Sequence, residues 1–230
     1  MDIQRSITSP MEAENWLKTI LIGGVLTFLG VLIVPLLIVY GYLVRVIRGT
    51  LSEATEPPTF DDWGDLLVDG VKAWIISLVY MLVPLLVAGF TVGGSILAFA
   101  TGTEAGAAAG AGGLWLGFSL SALLALVFGY LTVIAIVNFA REGVFGAGFD
   151  FDVIRTVAVD REYALAWLVS VVIFVVAGIV SAIPLVGWIL TPFVSFYAAV
   201  VAADLWAGGF AQALESTGAI TRPRDEDVAV

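Results

Sequence analysis

The sequence has no cysteine and no histidine, and only two lysines. Without cysteine there are no disulfides, thiolate metal centres or thiol catalysis, and the redox compartment is left undetermined. Without histidine as well, the common nucleophile, base and zinc-ligand sets cannot be assembled. No Gly-x-x-x-x-Gly-Lys-Ser/Thr phosphate loop occurs. Charge is scarce, at 13% of residues against about 25% in a soluble domain. What fills the chain is apolar: 60% of residues, with a mean hydropathy of +1.03. The fold class read from this is all-α, a polytopic helical membrane protein. No catalytic residue, cofactor or metal site is expected, and the chain is not read as an enzyme.

The 30 charged residues are unbalanced, 20 acidic against 10 basic, for a formal charge of −10. Such a surface repels phosphate backbones, so nucleic acid is not an expected partner. An acid-rich, lysine-poor, cysteine-free surface suits concentrated salt, where screening is strong, and this points to a salt-loving source.

Charge-free runs place the spans. Residues 19–44 carry no charge, and as one helix they would extend about 39 Å, more than the ~30 Å hydrocarbon core. Between 73 and 140 the only charge is Glu104, beside a Gly/Ala tract at 105–113 that reads as a flexible connection. The run 163–203 is too long for one helix, and Ile183-Pro184-Leu185-Val186-Gly187 supplies a turn. Spans are therefore expected near 19–44, 73–99, 114–140, 163–182 and 188–210. They form one membrane domain over 19–215, between a polar N-terminal segment (1–18) and an acidic, flexible tail (216–230). Trp16, Trp74, Trp115, Trp167 and Trp188 stand at span starts, as indole's preference for the membrane boundary requires.

Arg45, Arg48, Lys72, Arg141, Arg155, Arg161, Arg222 and Arg224 lie in two loops and the tail. The basic-residue rule makes both loops and the C-terminus cytoplasmic in a multi-pass cell-membrane protein. Five spans would put Arg5 and Lys18 outside. The alternative, a bend at Gly30 or Pro35, makes 17–49 a pair of short helices and gives six.

The two loops resemble each other. Pro57-Pro58-Thr59-Phe60-Asp61-Asp62-Trp63 leads into a short helix reaching Lys72, and Phe149-Asp150-Phe151-Asp152 leads into another ending near Asp160-Arg161. Two short cytoplasmic amphipathic helices and a weak internal repeat are expected. In the first, Trp63, Leu66, Leu67, Gly70, Val71 and Trp74 share a face opposite Asp62, Asp65, Asp69 and Lys72. Asp61 and Asp62 suit a helix start. A cation site from Asp61, Asp65 and Asp69 lacks the glycine-bearing loop of a calcium site.

Ionisable residues at membrane depth are functional candidates. Asp204 ends the 163–203 run, about 24 Å along its helix from Trp188. A buried acid there calls for a cation, and Arg45 or Arg141 could supply one as a structural ion pair; a proton or cation relay is the alternative. Asn138, three residues before Arg141, can share the cluster or bond between helices. Gly89-x-x-x-Gly93 and Gly113-x-x-x-Gly117 are candidate close-packing motifs.

Pro35-Leu36-Leu37-Ile38-Val39-Tyr40-Gly41-Tyr42-Leu43-Val44-Arg45-Val46-Ile47-Arg48, with Pro57-Pro58-Thr59-Phe60-Asp61-Asp62-Trp63-Gly64-Asp65 and Val68-Asp69-Gly70-Val71-Lys72-Ala73, resembles the archaeal, largely haloarchaeal, membrane family called domain of unknown function 4013. The resemblance covers most of the chain and is strongest in residues 15–75. It implies a multi-span membrane protein from a halophilic archaeon and carries over no activity or site residue. The function expected is a non-enzymatic scaffold or accessory membrane subunit, with a small-solute or ion transporter or channel as the alternative. The expected partners are the lipid bilayer and another membrane protein or a second copy.

Overall fold

The computed structural model describes residues 3–11, 15–54 and 56–218, so the expected tail beyond 218 lies outside them. Among the described residues there are eight α-helices and no strand: α1 (Ile3–Thr8), α2 (Trp16–Phe28), α3 (Val34–Leu51), α4 (Trp63–Ala100), α5 (Glu104–Glu142), α6 (Phe151–Ala158), α7 (Arg161–Ser181) and α8 (Val186–Ser216). Five of them, α3, α4, α5, α7 and α8, are long and apolar enough to cross a membrane. In lipid each backbone N–H must find its partner within its own helix, which is why apolar runs of this length fold this way. Val172, Val175 and Ile179 on α7 stay exposed, as lipid-facing positions do. The chain is a multi-pass membrane protein.

The chain falls into two compact units, 1–74 with 134–230, and 75–133. In the first unit, α7 and α2 and α3 all pack on α8. The core is built from small and aromatic residues: Ala202, Ala203, Leu205, Ala207 and Phe210 of α8 are almost fully buried, as are Tyr42, Tyr163 and Phe196. Gly23 and Gly24 of α2 lie against the rings of Phe196 and Phe193, where a methyl group would collide.

The first expected span is corrected. Residues 19–44 are not one helix: α2 passes into a 3-10 turn at Leu29–Leu32, and Ile33 takes the left-handed region (φ 57°) before α3 begins with Pro35 in its first turn. Proline cannot donate to a helix continuing from before it, and a single helix would overrun the bilayer. This is the bend named as the alternative. Its consequence is topological, because Arg5, Ser6 and Ser9 line the same cavity as Glu53, Glu56 and Pro58. The N-terminal segment therefore lies at the same end of this unit as the 52–62 loop, not at the far end as five single crossings require. The α2 helix with its 3-10 turn extends about 27 Å, close to the core thickness.

Two further expectations change. Residues 63–72 form no separate amphipathic helix but the first turns of α4, which runs unbroken to Ala100. The second loop does break: α6 is a separate eight-residue helix, and Asp150 and Asp160 cap α6 and α7 through their side chains. The two loops thus fold differently despite their matched spacing. A cap at Asp160 supplies acceptors for the Glu162 and Tyr163 N–H groups, which the continuous α4 does not need.

In the second unit, the Gly/Ala tract is not a flexible connection: Glu104 opens α5, and the link to α4 is only 101–103, with Gly102 left-handed. Alanine is the best helix former, and the glycines are used for approach. Gly110, Gly113 and Gly117 face Phe99, Ser95 and Thr91, four residues apart on α4, while nothing stands near Gly89 or Gly93.

Candidate functional site

The polar residues of the first unit gather at one end, where α3 finishes and α4 starts. Tyr42 anchors the connecting loop: its hydroxyl donates to Pro58 O at 3.0 Å and its ring stacks on Phe60 at 4.2 Å. Phe60 also meets Phe196 and Trp63, so the loop is held by an aromatic cluster. Trp63 itself is half exposed at the first turn of α4.

Two arginines on α3, one turn apart, fix this loop and α4. Arg45 pairs with Asp61 and donates to Thr59 O at 3.0 Å. The Thr59 hydroxyl, 2.9 Å from Asp61 Oδ2, and the Arg45 guanidinium hold the Asp61 carboxyl below the usual carboxylate range. A depressed pKa stabilises the fold above the carboxyl's unfolded pKa and is lost as pH falls through the folded value; with Asp61's side chain 61% exposed, water screens most of it. The Arg48 pair has the better enclosed acid, with the Asp69 side chain 17% exposed against 61% for Asp61. Arg48 pairs with Asp69, donates through Nε to Ala140 O at 3.2 Å and lies 5.9 Å from the Phe139 ring centre. Lys72 flanks the same ring at 6.0 Å.

Asp61 and Asp69 thus each hold an arginine. Asp65 is an exposed acid in the first turn of α4, where the helix dipole favours it. Asp62 precedes the helix with φ 45°, and its carbonyl accepts from Asp65 N and Leu66 N.

The expected pairing of Asp204 with Arg45 or Arg141 is not made. Arg141 bridges to Glu142 at 2.8 Å and covers the Phe210 ring at 5.5 Å, while Arg45 is taken by Asp61. Asp204 instead accepts a hydrogen bond from Thr50 Oγ1 at 2.6 Å, joining α8 to the last turn of α3. Nor does Asn138 join that cluster. It is almost fully buried, its Nδ2 donates to Ala147 O at 2.8 Å, and this ties α5 to the 3-10 turn Phe145–Phe149. Its Oδ1 and Arg141 Nε are buried without hydrogen-bond partners among the described residues.

Asp204 and Thr50 line a cavity of about 510 Å³ bounded by α1, α2, α3, the 53–58 segment and α8. Sequence reasoning found Asp204 but missed Thr50, Arg5 and Gln212, which share its wall. Asp204 was legible as a charge inside an apolar run, whereas Thr50 and Gln212 are ordinary polar residues near helix ends and carry no comparable signal.

The family model for a protein of unknown function, DUF4013, matches residues 25–186, most of the chain. No curated protein and no solved structure matches it.

Proposed function

We propose, since the chain belongs to the DUF4013 family of proteins of unknown function and takes no activity from it, that it is a non-enzymatic scaffold or accessory subunit of a membrane assembly. The observation that carries this reading is how the charges at the polar end are used. Arg45, Arg48 and Arg141 each hold a carboxylate of the chain itself, and Asp150 and Asp160 cap helices. These groups build a rigid end rather than a relay. Extraction from native membranes in mild detergent should recover the protein with one partner at fixed stoichiometry, or as a defined homo-oligomer. Recovery as a monomer, together with solute or ion flux after reconstitution, would favour the second reading, a small transporter or channel. That alternative is supported by the helix break at Ile33, the prolines inside α4 and α8, and the cavity beside Asp204.

The orientation belongs to the same proposal. Arg5, Arg45, Arg48, Lys72, Arg141, Arg155 and Arg161 all lie on the first unit's polar segments, and the turns at 101–103 and 182–185 hold no basic residue. By the basic-residue rule the polar end faces the cytoplasm. Single cysteines placed at Gln4, Glu56 and Gly146 should resist an impermeant thiol reagent added outside, and one at Ala108 should react, with no native thiol as background. Reaction at Gln4 alone would overturn the even number of crossings. Reaction at Glu56 and Gly146 would invert the whole topology.

The acid excess supports a halophilic source, and the resemblance described above an archaeal one. Dilution of potassium chloride from molar to about 0.1 M lengthens the Debye length to roughly 10 Å and strengthens repulsion among carboxylates. The solubilised protein should lose thermal stability or aggregate over that range, and unchanged stability would count against a high-salt interior.

A further inference from the structure

Among the described residues, the lining of the cavity at the polar end carries more carboxylates than cations. Three carboxylates line it, from Glu53, Glu56 and Asp204, against one guanidinium, from Arg5. Arg5 and Glu53 each have partners of their own. Among the described residues Asp204 is served by a single hydroxyl, and that hydroxyl is shared: Thr50 Oγ1 lies 2.6 Å from Asp204 Oδ1 and 3.1 Å from Val46 O, yet it has one proton to give. An ionised carboxylate has room for about four such bonds. Asp204 is itself partly buried on the cavity wall, so burial removes part of its hydration.

The lining also decides between kinds of cation. Among the described residues no three acidic side chains converge closely enough to hold a metal ion. A volume of about 510 Å³ lies instead in the range of small-molecule sites, roughly 300–1,000 Å³. Its walls include Ile20, Val46 and Val200, so apolar surface adjoins the acid. An anion would meet repulsion, and a bare inorganic cation would leave the apolar wall unused.

We propose that this cavity binds a small organic cation, an alkylammonium whose charged head hydrogen-bonds to Asp204 and whose stem lies along Ile20, Val46 and Val200. An ammonium offers three donors, which matches the unfilled acceptor sites of the carboxylate. The site goes beyond a scaffolding role and does not depend on it.

The test uses the purified full chain in nanodiscs of neutral lipid at fixed ionic strength, titrated calorimetrically with hexylammonium and with hexan-1-ol, its neutral counterpart. Hexylammonium should bind at one saturable site, and hexan-1-ol should show no saturable binding. Asp204→Asn keeps an acceptor for Thr50 and should weaken hexylammonium at least tenfold. Gly208 lines the cavity with nothing within 4 Å of the position a side chain would take. Gly208→Leu therefore adds a side chain at the cavity wall from a position whose Cβ meets no neighbour, and should abolish binding even if Asp204→Asn fails to fold. Glu104→Gln, at the start of α5 in the other unit, should leave affinity unchanged. Equal binding of the alcohol, or binding that survives both cavity variants, would overturn the proposal. Because no partner protein enters the measurement, its failure leaves the scaffold reading to be judged by copurification alone.

Discussion

Gly41→Ala and Gly70→Ala are each expected to destabilise the protein by about 3 kcal/mol, the upper end of the usual overpacking range, or by more. A methyl group on Gly41 would fall on the carbonyl of Leu66, and one on Gly70 on the carbonyl of Leu37 and close to Gly41 N. The relation is reciprocal, with residues 37 and 41 of α3 facing 70 and 66 of α4. The two helices meet backbone to backbone, the arrangement in which Cα–H groups contact carbonyl oxygens. A side chain can rotate away from a new methyl group, but a helical carbonyl cannot without breaking its own ladder. The loss should propagate, because this crossing sets the distance over which Arg48 reaches Asp69 and Tyr42 reaches Pro58. Unfolding in mixed detergent micelles measures it. Gly89→Ala and Gly93→Ala, on the same α4 but with nothing nearby, are the controls and should stay within about 1 kcal/mol of the parent. Equal losses at all four positions would mean that helix propensity or expression, and not the crossing, is being read.

Arg48→Ala should cost about 2–3 kcal/mol, below the 3–5 kcal/mol of a fully buried pair because the arginine side chain is 37% exposed and Asp69 17%. Three contacts go at once: the carboxylate of Asp69, the carbonyl of Ala140 and the face of Phe139. Removing Asp69 as well, as Arg48→Ala with Asp69→Asn, should recover part of the loss, since much of it is the penalty of leaving that acid unpaired. Arg48→Lys should rescue poorly. One ammonium cannot present separate Nε and Nη donors to Ala140 and Asp69 in the planar fork that the site uses. The neighbouring pair makes the contrast: with Asp61 mostly in water, Arg45→Ala should cost under about 1 kcal/mol through that ion pair. If Arg48→Ala proves as mild as Arg45→Ala, enclosure by α4 and α5 does not strengthen the pair.

How much of this was legible beforehand depends on the distance over which each feature is decided. Asp150 and Asp160 act on N–H groups two and three residues away, so their capping of α6 and α7 follows from local chemistry. Asp204 was visible as a charge interrupting an apolar run, but its partner Thr50 is 154 positions away, and nothing in either residue's surroundings names the other. Arg45 and Arg141 match Asp204 in depth, but depth alone cannot tell which of several carboxylates an arginine will face. The Gly/Ala tract is helical where its composition suggests a linker, for a related reason. Its composition fits a loose linker equally well, and it is the side chains of Thr91, Ser95 and Phe99 packing against its glycines that give the small residues a use as helix.

The sequence by itself determined the class: long apolar runs with few charges must satisfy their backbone internally in lipid, and only helices of this length do so here. It also determined that basic residues gather outside the long apolar runs, because a charge inside such a run is costly. The tertiary structure decided that 19–44 turns back at Ile33, that Arg5 shares a cavity with Glu53, and that Gly41 and Gly70 are the crossing point of two helices. These are questions of which faces meet. A helical run permits many packings of equal hydrophobicity, and the choice among them rests on close contact between residues far apart in the chain.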